Sequence, residues 1–95
     1  MLTHVVMYKL RERDQASLAA ARGQLELLPG SIPSLRAMEI GTDILHSGRS
    51  YDLVIIARFD DLAGLEFYQA HPVHLPVLGY LRDACESIIA VDYEV

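Results

Sequence analysis

The chain has 95 residues, enough for one domain spanning 1–95 but not for a second core. Thirteen acidic residues against eight basic ones leave a net charge of −5, and the arginines stand singly along the chain. That pattern excludes the basic stripe of a nucleic-acid-binding surface and the polybasic segment of a membrane anchor. No apolar run approaches the roughly 20 residues that cross a bilayer. The start Met1-Leu2-Thr3-His4 lacks a signal peptide's basic region and long apolar stretch. Cys85 is alone, so no internal disulfide can form. Together these features lead to the expectation of a cytoplasmic protein that meets neither nucleic acid nor membrane.

Residues 2–10 (LTHVVMYKL) are β-branched and aromatic and read as a strand. Asp14 is a suitable N-cap for a helix carrying Leu18, Ala21, Leu25 and Leu28, which Pro29 stops. After the Pro29-Gly30 turn, residues 35–42 alternate as a half-buried strand. A loop with Ser47-Gly48-Arg49-Ser50 leads into residues 52–59 (DLVIIARF), the strongest strand signal in the chain. Asp60 and Asp61 then cap a helix through Leu62, Leu65 and Tyr68 that ends near His71, before Pro72. A third helical segment is predicted from about Pro76, and residues 87–94 close with a strand. Cys85, between them, reads as a small core residue.

The order β-α-β-β-α-α-β, with the middle strands joined as a hairpin, is the split βαβ of an α+β, ferredoxin-like fold: a four-stranded antiparallel sheet with helices on one face. Strand parity then exposes a problem. Leu53, Ile55, Ala57 and Phe59 point one way, Val54 and Ile56 the other. Val6, Tyr8 and Leu10 oppose Val5 and Met7, and Ile88 and Ala90 oppose Ile89 and Val91. A sheet with one wet face alternates apolar with polar; this one is apolar on both. Three helices on one side leave an apolar patch of several hundred Å² on the other, more than a monomer usually exposes. A second copy packed on the same face covers it by a two-fold contact, so a homodimer through the sheet is expected.

The distinctive stretch is Tyr68-Gln69-Ala70-His71-Pro72-Val73-His74. Two histidines straddle a proline, one helical turn beyond a tyrosine. Imidazole shuttles protons near neutral pH, and a phenol donates to a developing oxyanion. The plainer alternative has His71 bonding its own helix end and His74 capping the next segment. No Asp, Glu or Cys lies close enough in sequence to complete a metal site with the histidine pair, so no metal is expected. His4 shares the parity of Val6 and Tyr8. If it faces the helices with Ile55, Phe59 and Tyr68, it lines the same cavity as the motif. His46, near Gly48, reads as solvated.

The opening His4-Val5-Val6 followed by Lys9-Leu10, then Gly41-Thr42-Asp43, Phe59-Asp60, the Tyr68, His71-Pro72, His74 motif and the closing Val91-Asp92-Tyr93 form an ordered set. In that set the chain resembles, end to end, the stress-responsive dimeric α/β-barrel domain family. The resemblance implies a ferredoxin-like protomer dimerising through its sheet. A plant branch of the family, olivetolic acid cyclase, is a cofactor-free polyketide cyclase. By that resemblance His74 is the base, and Tyr68 and His4 bind the substrate; the expected site counts Tyr68 with His74 as catalytic and adds Tyr8, Ile55, Phe59 and His71 to His4 as substrate contacts. The first helix departs from the cyclase, with Ala21, Leu25 and Leu28 as its wall and no aromatic residue there. Three readings follow: a cofactor-free acid/base enzyme of a small poly-keto or phenolic compound, a non-enzymatic stress-associated or ligand-binding dimer, and, by fold analogy, a cofactor-free monooxygenase-like activity. A cavity of ~300 Å³ or more reaching His74 and Tyr68 would distinguish a site from a solid core.

Overall fold

Seven elements follow one another in a computed structural model that describes all residues 1–95: β1 (Leu2–Leu10), α1 (Gln15–Leu25), β2 (Ala37–Thr42), β3 (Leu53–Phe59), α2 (Leu62–Ala70), α3 (His74–Ala84) and β4 (Cys85–Glu94). The sheet runs β2-β3-β1-β4 and every pairing is antiparallel. With three helices on one face, this is the ferredoxin-like arrangement the sequence implied.

Helix starts follow the sequence chemistry. The Asp14 carboxylate accepts the Ser17 N–H at 2.8 Å, and the Asp61 carboxylate accepts the Gly64 N–H at 2.9 Å. Asp60 has another task, pairing with Arg36 at 2.8 Å. α1 ends at Leu25 rather than at Pro29; the chain continues in turns that keep Leu28 buried, and Gly30 takes the left-handed conformation (φ +81°) that reverses its direction.

Three further boundaries differ from expectation, each by two residues. β2 starts at Ala37, because the Leu35 N–H closes a turn onto the Ile32 carbonyl at 3.1 Å. α3 starts at His74, two residues before Pro76, with the His74 and Leu75 N–H groups both donating to the His71 carbonyl. Pro76 then lies in the first turn, where its missing N–H would have had no partner within the helix anyway. β4 starts at Cys85, directly after Ala84, with no loop between them. A bulge opposite Lys9 and Leu10 shifts the pairing from Ser87 to Cys85. It turns Cys85 inward beside Leu10, although Ile89 and Val91, of the same parity, face outward.

Leu53, Ile55, Ala57 and Phe59 of β3 and Leu2, Val6, Tyr8 and Leu10 of β1 are buried beneath the helices, as parity required. The other face carries Val5, Met7, Val54, Ile56, Ile89 and Val91. Nothing in this chain covers it: Met7 is 41% exposed, Ile89 47% and Val91 55%.

Candidate active site

A cavity of about 400 Å³ opens between the helices and the β1–β4 half of the sheet, and His4, Tyr8, Tyr68 and His74 all line it. Three periodicities build it. Alternation along β1 turns His4, Val6 and Tyr8 inward; the antiparallel register sets Ala90 across from Val6 and Ile88 across from Tyr8. On α3 the spacing of four puts His74, Leu78 and Arg82 in one stripe.

His74 is half-buried where α2 gives way to α3. Its Nδ1 lies 3.1 Å from the Gln69 carbonyl oxygen, near the end of α2. A carbonyl only accepts, so Nδ1 carries the proton and the lone pair of the neutral ring belongs to Nε2. Burial pushes the imidazole pKa below its ordinary value; the bond to Gln69 opposes this, and the charges of His4 and Arg82 add to it. The ring is therefore a free base at neutral pH.

Tyr68 packs against His74 with ring centroids 4.5 Å apart and the ring planes tilted by 50°. Burial pushes the phenols of Tyr68 and Tyr8 well above the usual range, so both stay protonated and serve as donors. Neither hydroxyl has a protein partner, yet no polar side-chain atom is sealed without one. Both therefore open onto the cavity they line. His4 is buried edge-on to Tyr68 and Phe59, at centroid distances of 6.2 and 6.4 Å. Its Nδ1 is bonded to the Asp92 carboxylate, its register partner on β4, which fixes the ring plane.

The stress responsive A/B barrel domain profile matches residues 2–95. The chain belongs to that family. Among solved structures similar to this member of it, a dimeric ferredoxin-like protein of unknown function from Thermobifida fusca is 23% identical, with a TM-score of 0.87, covering 99% of this chain and 90% of its own. A dimeric ferredoxin-like protein from Bacteroides fragilis is 28% identical, with a TM-score of 0.83 and coverage of 99% and 95%. The hydroxynitrile lyase from Passiflora edulis shares the fold at 17% identity, with a TM-score of 0.85 and coverage of 99% and 92%. No curated protein matches the chain.

Within this family member, three of the expected substrate contacts lie off the cavity. Ile55 and Phe59 are on the predicted face but fully buried, with Phe59 packed under Tyr68 at 5.0 Å. Phe59 thereby supports the tyrosine ring. His71 turns away: its Nδ1 accepts the Val73 N–H at 3.1 Å, and its ring sits 5.6 Å from that of Phe67. The His71 backbone N–H donates to the Tyr68 carbonyl at the end of its own helix at 3.2 Å, while the side-chain bond to that helix end is made by His74. The α1 wall is absent too, since Ala21, Leu25 and Leu28 are core and do not reach the cavity. His46 is exposed in the hairpin, in a left-handed conformation (φ 55°) with its N–H on the Asp43 carboxylate. Cys85 is buried, which raises its thiol pKa and keeps it from acting as a thiolate nucleophile.

Two site residues were missed from sequence. Asp92 shares the parity of Ile88 and Ala90, so its direction was readable, but its pairing with His4 depends on a register set 88 residues away. Arg82 lies eight positions after His74, a spacing that already puts both on one side of a helix.

Proposed function

We propose that two copies of this chain pack sheet to sheet, and that each cavity performs cofactor-free acid/base chemistry on a small poly-keto or phenolic compound. The supporting observation is the Nε2 lone pair of His74, held by the bond from Nδ1 to Gln69 in a cavity where Tyr68 and Tyr8 hold unengaged hydroxyls. His74 takes a proton from a carbon α to a carbonyl, and the C–H electron pair moves onto the carbonyl oxygen. Tyr68 donates to that oxygen, with His4 beside it on the cavity wall. In a poly-keto chain the enolate carbon then bonds to a second carbonyl carbon, and the new alkoxide recovers the proton from His74. No electron leaves or enters the system.

Turnover of diketide and tetraketide compounds, as thioesters and as free acids, tests this. His74→Ala is expected to lose about 10²–10⁴-fold in rate while the fold survives; wild-type turnover in that variant would remove the base. Rate rises with pH as His74 deprotonates, and because burial depresses its pKa the acid limb falls below the ordinary imidazole value of 6.5. The same shift has a stability sign. Below pH 6.5 the unfolded chain binds the proton more readily than the folded one, so this contribution is lost as pH falls.

A second reading, ligand binding without turnover, is favoured by the bond from His74 to Gln69, which by itself gives the histidine a structural task. Ligand binding with no accepted substrate and an unperturbed His74→Ala complex is its expected signature. The dimer is tested separately. Ile56→Asp puts an unpaired charge into the sheet interface and is expected to yield monomers in sedimentation. An intact Ile56→Asp dimer would require a different contact surface.

A further inference from the structure

We infer that the ligand of this cavity is an acid: an apolar body carrying a carboxylate that sits on Arg82, with its neutral end toward His74. The inference deepens the proposed function by naming the substrate's charge, and it rests on that reading only for the choice of cavity.

Five of the seven arginines are committed to partners within the chain: Arg11 to the Asp83 carbonyl, Arg13 to Asp52, Arg22 to Thr42, Arg36 to Asp60 and Arg58 to Thr3. Arg49 lies in the exposed β2–β3 hairpin. Arg82 alone combines an unengaged guanidinium with a place on the wall of a cavity. In a chain with a net charge of −5, acidic partners are plentiful, yet none neutralises it. The Asp92 carboxylate is turned to His4.

The remaining wall fits the same ligand. Val6, Leu78, Ile88 and Ala90 supply apolar surface, while Tyr8, Tyr68 and Arg82 supply donors. A wall of donors over an apolar floor selects oxygen acceptors on a hydrocarbon body. A guanidinium fork matches a planar carboxylate in particular. The Nε2 lone pair of His74 repels an anion, so the charged end belongs at the other end of the stripe. Eight residues of helix separate the two Cα atoms by about 12 Å, and a helical side chain leans toward the N-terminus, which brings the guanidinium back toward His74. The depressing effect of Arg82 on the His74 pKa agrees with that approach. At ~30 Å³ for each water-sized group, the cavity holds roughly a dozen non-hydrogen atoms.

Hydrocinnamate and its neutral amide, hydrocinnamamide, have this size and the same shape, and differ in that an NH2 donor replaces one carboxylate oxygen and removes the charge. Titrated into the full-length protein and followed by NMR of the histidine rings, hydrocinnamate is expected to shift His4 and His74 and to bind about tenfold more tightly than the amide. Arg82→Gln, an exposed change near the end of α3, is expected to erase that preference and leave the amide's affinity unchanged. Arg82→Lys keeps the charge without the fork and restores part of it. Equal affinity for acid and amide, a preference that persists in Arg82→Gln, or no hydrocinnamate binding at millimolar concentration would each overturn the inference. Binding is read without turnover, so the acid preference is expected to survive in His74→Ala even if no reaction is found. Conversely, loss of the acid preference leaves the rate test of His74 intact.

Discussion

β3 and β4 flank the same central strand and both turn alternate side chains toward the helices, yet the β3 side is solid and the β4 side hollow. On β3, Leu53, Ile55, Ala57 and Phe59 are all buried, and Leu65 and Tyr68 close over them. On β4 the corresponding residues are Ile88, Ala90 and Asp92, which become smaller and then charged, and only Ile88 is even half-buried. The helix stripe above them is His74, Leu78 and Arg82 rather than an apolar run. The contrast shows that parity assigns a direction, while side-chain size on both partners decides whether that direction ends in packed atoms or in space.

The sharpest way to break the comparison is Phe59→Ala. It leaves a hole in the solid half and is expected to cost about 3–5 kcal/mol in a denaturant melt; a loss under ~1 kcal/mol would mean that this half is not sealed. Tyr68→Phe probes the boundary between the halves. Its ring packs on Phe59 but its hydroxyl has no protein partner, so stability is expected to change by less than ~1 kcal/mol. Turnover, by contrast, is expected to drop about 10²-fold if the hydroxyl steadies the oxyanion. A parallel loss of both would assign the hydroxyl a structural role. The smallest stability effect is expected from Ala90→Leu, within roughly 0.5 kcal/mol, because the added atoms enter open space. The same change is expected to block hydrocinnamate binding, and a calorimetric titration showing wild-type affinity would mean that β4 does not wall the site.

Much of this was legible in the sequence because it is local. Asp14 and Asp61 announce their helices through the N–H groups three residues on, and the alternation in β1 and β3 gives both faces of the sheet without any knowledge of pairing. The boundaries that shifted depend on backbone bonds that no side chain announces, such as the turn from Leu35 to Ile32 that delays β2, or on pairing, such as the bulge opposite Lys9 and Leu10 near the start of β4. Within the site, His4, Tyr8, Tyr68 and His74 were brought together by parity and by the motif. Ile55 and Phe59 lie on the face that parity assigns and Phe59 is core, but alternation alone does not say whether a side chain on that face meets packed atoms or a cavity. The partnership of His4 with Asp92 required the β1–β4 register, which no short window contains.

The direct passage from Ala84 into Cys85 ties two surfaces to one count of residues. Inserting a single residue into β4 beyond its bulge would rotate every later side chain by half a turn, sending Ile89 and Val91 under the helices and Ile88, Ala90 and Asp92 to the opposite face. The cavity wall and the apolar patch would exchange places, and His4 would lose its partner in the same event. Lineages of this chain can therefore retune pocket and patch independently by substitution, but a change of length within β4 alters both at once.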